Sequence, residues 1–106
     1  MMANPHAGEV ALVLDGRRHV AKLTLGALAE LEEALGDDSL TDLVARLESG
    51  AFSSRDTLAL IAAGLRGGGW EGEARDLLTV EIEGGPMAAA TAAGQLLARA
   101  FRAPGA

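Results

Sequence analysis

Residues 9–32 read EVALVLDGRRHVAKLTLGALAELE. Val10, Leu12 and Leu14 alternate with Glu9, Ala11 and Val13, and the alternation ends at the pair Asp15-Gly16. Both positions of such a pair tolerate positive φ, so Asp-Gly flanked by alternating residues is a strong hairpin signal. A second extended run, 18–23, leads into helical spacing from Leu25 onward. The stretch predicts a β-hairpin followed by a helix, with Thr24 accepting a capping hydrogen bond from a first-turn amide.

Three helices are predicted between residues 25 and 67, separated by glycine and by short polar residues. The first covers 25–35 and ends at Gly36, which readily adopts the left-handed conformation. The second follows possible caps at 37–39, carries apolar residues at i, i+3, i+4 and i+7 from Leu40, and ends at Gly50. The third opens at 53–56, where serine hydroxyls and Asp56 suit a helix start. It is apolar almost all round from 58 to 65, which predicts a central helix covered on more than one side.

The last third of the chain predicts two more helices. A glycine run at 67–69 precedes Trp70, and a fourth helix is expected over about 73–82. The last helix opens at 84–86, with Pro86 at its preferred first position. Its residues at three- and four-residue spacing form a seam whose small members let another helix approach closely. The seam comprises Met87, Ala90, Gly94, Leu97 and Phe101. The predicted fold class is α+β, with an N-terminal β-hairpin followed by a compact bundle of about four to five short helices.

Length and composition indicate one domain with an aliphatic core. The chain has 106 residues, enough for one modest core, and is 49% hydrophobic but only 3% aromatic. Leucine, valine and alanine must therefore fill the interior. We expect a disordered N-terminal tail at 1–8, a single α+β domain at 9–102 and a frayed C-terminal tail at 103–106.

Charge and cysteine content argue against several classes of protein. The net charge is −6, and the basic residues are scattered along the sequence, so a nucleic-acid partner is not expected. Cysteine is absent, which excludes disulfides and thiolate chemistry. Residues 1–6 lack the pattern of a secretory signal, and the longest small-apolar stretch, 87–93, is too short to span a bilayer. We expect a soluble, cytoplasmic protein without a membrane partner.

No group of residues has the spacing of a catalytic or metal site. His6 and His19 lie far apart without further ligands at suitable spacing, so no metal is expected. The acidic residues within 30–38 form a solvated face or, alternatively, an electrostatic patch for a partner. The serines sit at predicted helix boundaries and are interpreted as caps; they are Ser39, Ser49, Ser53 and Ser54. The sequence thus predicts a protein that is not an enzyme and has no cofactor.

The glycine run at 67–69 does not fit a nucleotide site. A phosphate loop requires Lys followed by Ser or Thr at the helix start, whereas Trp70 and Glu71 follow here. The dinucleotide pattern also fails, because these glycines follow a helix and not a strand. Two interpretations of Trp70 remain: it anchors the glycine loop to the core, or it is a hot spot for a partner.

Residues 9–16 and 23–32 together resemble the gene transfer agent family of small phage-derived tail proteins. The resemblance extends through 64–70, GLRGGGW, to the helix opening at Gly85-Pro86, and covers about residues 8–101. It implies a tail assembly chaperone that binds the tape measure protein, keeps it soluble and helps recruit tail tube protein. Members have also been labelled tail tube proteins, although a tube subunit is expected to be β-rich.

Within that resemblance, Trp70, Leu97 and Phe101 are the candidate partner contacts. For Leu97 and Phe101 the alternative is packing inside their own domain. The hairpin edge offers self-association by strand addition, and hence a homo-oligomer, if the fold leaves it uncovered. The competing hypothesis is a permanent structural tail subunit, either tube-associated or a connector.

Overall fold

The hairpin and the helices follow one another in the predicted order. A computed structural model describes residues 8–37 and 39–101. The strands are β1 (Val10–Leu14) and β2 (Arg17–Ala21); the helices are α1 (Leu25–Leu35), α2 (Leu40–Ser49), α3 (Ser54–Gly67) and α4 (Gly85–Ala100), with a 3₁₀ helix at Ala74–Leu78 between α3 and α4. The α+β prediction is confirmed. The predicted tails at 1–8 and 103–106, apart from Gly8, lie outside the described residues.

The hairpin forms because its turn has the required backbone conformation. Asp15 and Gly16 have φ values of 48° and 80°, and Leu14 pairs with Arg17 to close the antiparallel ladder. Two positive φ values in a two-residue loop match the right-handed twist of the flanking strands. The second strand ends at Ala21, slightly before the predicted 23.

Side-chain caps begin the first three helices. Thr24 Oγ1 accepts a hydrogen bond from the Ala27 amide at 3.1 Å, as predicted for α1. Ser39 and Ser53 take the N-cap positions of α2 and α3, and each forms a reciprocal pair of hydrogen bonds with the aspartate three residues later. Each such box satisfies two amides that a helix start leaves without partners.

Helix α3 is the centre of the fold, as its apolar circumference predicted. Residues 60–65 are all buried, and the helix packs against α1, α4 and β2. A Cβ on Gly64 would lie 2.7 Å from Leu96 Cδ1, so the missing side chain lets α4 approach closely. The Lys22 amide donates to the Gly64 carbonyl at 2.8 Å, which ties the end of the hairpin to this helix.

The predicted helix over 73–82 is wrong beyond residue 78. Only Ala74–Leu78 is helical, as a 3₁₀ turn, and the chain then extends along the outer edge of β1. The Asp15 amide donates to the Glu81 carbonyl at 2.8 Å, and the Glu83 amide donates to the Val13 carbonyl at 3.0 Å. Val80 and Ile82 pack partly against the core from this segment. Hydrogen bonding to the otherwise unpaired edge of β1 therefore outweighs the local helical preference of this segment and makes it extended.

Helix α4 buries a face adjacent to the predicted seam. Its core residues are Ala89, Ala92, Ala93, Leu96 and Leu97. The seam itself has exposed ends, because Met87 and Phe101 are 79% and 54% exposed. The helix begins one residue earlier than expected, so Pro86 takes its second position. Leu97 belongs to both the seam and the core, so the seam reaches the surface at its two ends and not along its whole length.

Candidate functional site

An apolar groove lies between α2 and α4. Its volume is about 480 Å³, and apolar side chains supply most of its lining. The lining residues are Leu40, Thr41, Val44, Leu47, Glu48, Leu97, Ala98 and Phe101. A groove of this shape and chemistry suits the apolar face of a partner helix.

The groove exists because α4 covers only part of the apolar stripe of α2. Leu43 on α2 is fully buried, whereas Leu40, Val44 and Leu47 are only partly buried against the core. The facing part of α4 presents small residues, and a Cβ on Gly94 would lie 3.8 Å from Leu47 Cδ1. Helix α2 is also the helix least closely packed against the rest of the described chain. The uncovered part of its apolar stripe becomes one wall of the groove.

Leu97 and Phe101, two of the predicted contact residues, come together in this groove. Leu97 is 2% exposed and packs in its own core, so it contributes to the floor. Phe101 is 54% exposed at the end of α4 and forms part of the rim. Their partner-binding role stays a prediction. The sequence predicted Leu40, Val44 and Leu47 only as part of the amphipathic stripe of α2 and not as groove residues; the alanines and Gly94 of α4 were the available signal that this helix would leave part of the stripe uncovered.

Trp70 lies in a different place, beside the second strand. Its amide donates to the Leu65 carbonyl at 2.9 Å, and its side chain packs partly against the core. The indole also lies where a side chain on Gly72 would be, so that glycine makes room for the ring. Trp70 lines a second groove together with Arg18 and residues 68–69. The residue therefore anchors its loop and still presents part of its ring to that groove.

A partly buried ion pair fixes α2 against the start of α3. Arg46 Nε and Nη2 donate to the two carboxylate oxygens of Asp56 at 2.9 and 2.8 Å. Asp56 is 6% exposed and also accepts from the Ser53 amide at 3.1 Å. Hydrogen bonding from Arg46, supported by Ser53, lowers the pKa of Asp56 despite the opposing effect of burial. The charge-assisted pair sets the position of α2, and with it one wall of the α2–α4 groove.

The glycine run at the end of α3 allows close packing against the end of the hairpin. A Cβ on Gly67 would overlap the Lys22 carbonyl oxygen, and one on Gly68 would overlap that of Val20. Carbonyl oxygens close to these glycines are unsuitable neighbours for a phosphate. Among residues 8–37 and 39–101, no three His, Asp or Glu side chains are grouped so as to hold a metal ion. His6 lies outside those ranges.

Comparison with known protein families identifies the family of this chain. The family model described as phage tail tube protein, GTA-gp10, matches residues 7–103. Neither curated proteins nor solved structures gave a match. Within the described part of the chain, no helix has the length and apolar character needed to cross a membrane. The chain belongs to this gene transfer agent tail family, as its sequence resemblance implied.

Proposed function

We propose that this tail-family member is a non-enzymatic tail assembly chaperone, acting in the cytoplasm, that holds an apolar helix of the tape measure protein in the α2–α4 groove. In that role it keeps its client soluble and assists the tail tube protein in assembling around it. The observation that carries the proposal is the groove itself, which is apolar and bounded by two helices. A client helix lying there would form a third helix packed against α2 and α4.

A small residue on α4 favours such an arrangement. Ala98 is exposed in the lining of the groove and leaves room for another backbone, and Phe101 supplies an aromatic anchor at one end. One groove of this size gives modest affinity. Many copies bound along one long client would nevertheless hold it firmly through multivalency.

A permanent structural subunit, tube-associated or connector, is the second candidate function. The description of the matching family, a tail tube protein, favours it. The strand content favours the chaperone, because the part of the chain that the structure describes contains one two-stranded sheet. A tube wall of continuous strands would need a larger sheet than this hairpin supplies.

Co-expression with the tape measure protein of the same gene cluster separates the two functions. A chaperone keeps the tape measure protein soluble, co-purifies with it and is missing from finished particles. A structural subunit is retained in particles at a fixed ratio, and its loss leaves particles without complete tails. Retention in particles without capture of the tape measure protein would reject the chaperone proposal.

Replacement of Phe101 with aspartate is expected to reduce capture of the tape measure protein by about tenfold or more. The change places a charge on the rim of an apolar groove, where an aromatic anchor commonly contributes at least about 2 kcal/mol to binding. Phe101 is half-exposed at a helix end, so the fold is expected to persist. Pull-down at equal expression gives the measurement, with circular dichroism as the check on folding.

Leu78→Asp is the matched control for that variant. Leu78 is 70% exposed and does not line the groove. Ala98→Phe fills the groove from its exposed side and should block capture without removing any existing contact. Equal capture by Phe101→Asp, Ala98→Phe and the unmodified chain would show that the client binds elsewhere.

A further inference from the structure

The outer edge of β2 has backbone groups open to a partner. The register places Arg18 and Val20 in pairs that point their amides and carbonyls away from β1. Beyond them, the Lys22 amide is bonded to the Gly64 carbonyl, and Gly68 lies against the Val20 carbonyl. The amide and carbonyl of Arg18 and the amide of Val20 have no backbone partner among residues 8–37 and 39–101. A short length of strand edge is therefore available.

Three cations lie on β2 or directly after it, in a protein that is acidic overall. Arg17, Arg18 and Lys22 form no ion pair within the described chain, whereas Arg46, Arg66 and Arg75 each have a carboxylate partner. The net charge of the whole protein is −6. Because ion pairs neutralise those other cations, positive charge without an ion-pair partner in the described chain includes this group on and directly after β2.

A groove runs along the same edge, between β2 and the loop after α3. Its volume is about 520 Å³, and Trp70 forms its aromatic side. The lining residues are Arg18, His19, Val20, Gly68, Gly69, Trp70 and Glu71. Glu71 is the one carboxylate in that lining, against Arg18 within it. An open strand edge, an indole and local positive charge occur together here.

We propose that the β2 edge binds an extended acidic segment of a partner protein, which adds to the hairpin as a third strand between β2 and the Trp70 loop. Main-chain hydrogen bonds to Arg18 and Val20 supply the pairing, and the cations select acidic side chains. A second copy of this chain fits poorly, because pairing β2 with β2 would bring like charges together across the strands. The outer edge of β1 is already covered near the turn by residues 81–83. This site is independent of the α2–α4 groove and of its client.

A short synthetic peptide tests the proposal. The probe is an end-capped octapeptide of alternating Glu and Val, and the comparison peptide replaces every Glu with Lys. Trp70 is the only tryptophan and the chain has no tyrosine, so intrinsic fluorescence reports on this groove alone. The acidic peptide should bind at least about tenfold more tightly than the basic one, and its affinity should fall as salt screens the arginines. Failure of the acidic peptide to bind at millimolar concentration would overturn the proposal.

Arg18→Glu is the diagnostic variant and Arg55→Glu its charge-matched control. Arg55 is exposed near the start of α3 and does not line this groove. Binding of the acidic peptide should weaken about tenfold in the first variant and stay within about twofold in the second. Hydrogen exchange should show the Arg18 and Val20 amides becoming protected when the peptide binds. An equal loss of affinity in both variants would show that the peptide responds only to the net charge of the protein, and would overturn the proposal. A dimer that forms without peptide and protects the same amides would show that the edge binds a second copy of this chain and not an acidic partner.

Discussion

Gly68→Ala is expected to lower the free energy of unfolding by about 3 kcal/mol or more. The new Cβ would overlap the Val20 carbonyl oxygen and lie 2.9 Å from the Val20 carbonyl carbon. Both obstacles are backbone atoms of a strand, so relief requires the end of α3 to move away from β2. Overpacking of this kind typically costs 1–3 kcal/mol and occasionally more, and the loss of neighbouring packing adds to it. Urea denaturation of both proteins measures the difference.

Gly26→Ala is the control that separates crowding from a general effect of losing glycine. Gly26 lies on an exposed face of α1, and the nearest atom to a Cβ there is Thr24 Oγ1 at 3.9 Å. Alanine at that helical position should stabilise the protein by about 0.5–1 kcal/mol. A change in stability of less than about 1 kcal/mol for Gly68→Ala would show that α3 moves away from β2 at little cost and would contradict this prediction.

Local signals in the sequence were sufficient for most of the secondary structure. The Asp15-Gly16 turn, the Thr24 cap and the serines at 39 and 53 each act within four residues. Such local interactions can be predicted from the sequence without knowledge of the tertiary fold. The bounds of α1 matched the prediction at both ends for this reason.

Long-range pairing explains what the sequence analysis missed. The segment 79–83 has apolar residues that fit either a helix or an extended chain, and only the free edge of β1 decides between them. The role of the glycine run in close packing depends on Val20 and Lys22, more than forty residues earlier. Contacts over that distance leave no periodic signal.

The candidate surfaces were predicted only in part. Leu97 and Phe101 do lie together, since residues four apart on a helix share a face. The burial of Leu97, the exposure of Phe101 and the contribution of α2 to the groove all depend on how much of α2 is covered by α4. The concentration of cations on β2 was not expected, because a count along the sequence does not show which cations are neutralised by ion pairs elsewhere in the fold.

Asp56→Ala is the second large effect, with an expected loss of about 3 kcal/mol at neutral pH. The substitution removes both hydrogen bonds from Arg46 and the acceptor that completes the α3 capping box. Breaking a buried ion pair by removing one partner commonly costs 3–5 kcal/mol, and the partial exposure of Arg46 places this site at the lower end. Because α2 has few other close neighbours, the α2–α4 groove should also lose its shape, and capture of the tape measure protein should fall with it.

The pH dependence of stability identifies the carboxylate as the cause. The folded protein holds the pKa of Asp56 below its ordinary value, so the contribution of Asp56 to stability is complete above the unfolded pKa of about 3.9. This contribution disappears as the pH falls below about 4 and through the lower folded pKa. The difference in free energy of unfolding between the unmodified chain and Asp56→Ala should therefore shrink over that interval.

Asp42→Ala removes the corresponding box residue of α2, which is exposed and lacks the paired hydrogen bonds from Arg46. Its pKa is also lowered, chiefly by the Ser39 amide, so its loss should be smaller and should fade in acid in the same direction. Equal losses in the two variants at neutral pH would assign the effect to helix capping and leave the Arg46–Asp56 pair without a net contribution.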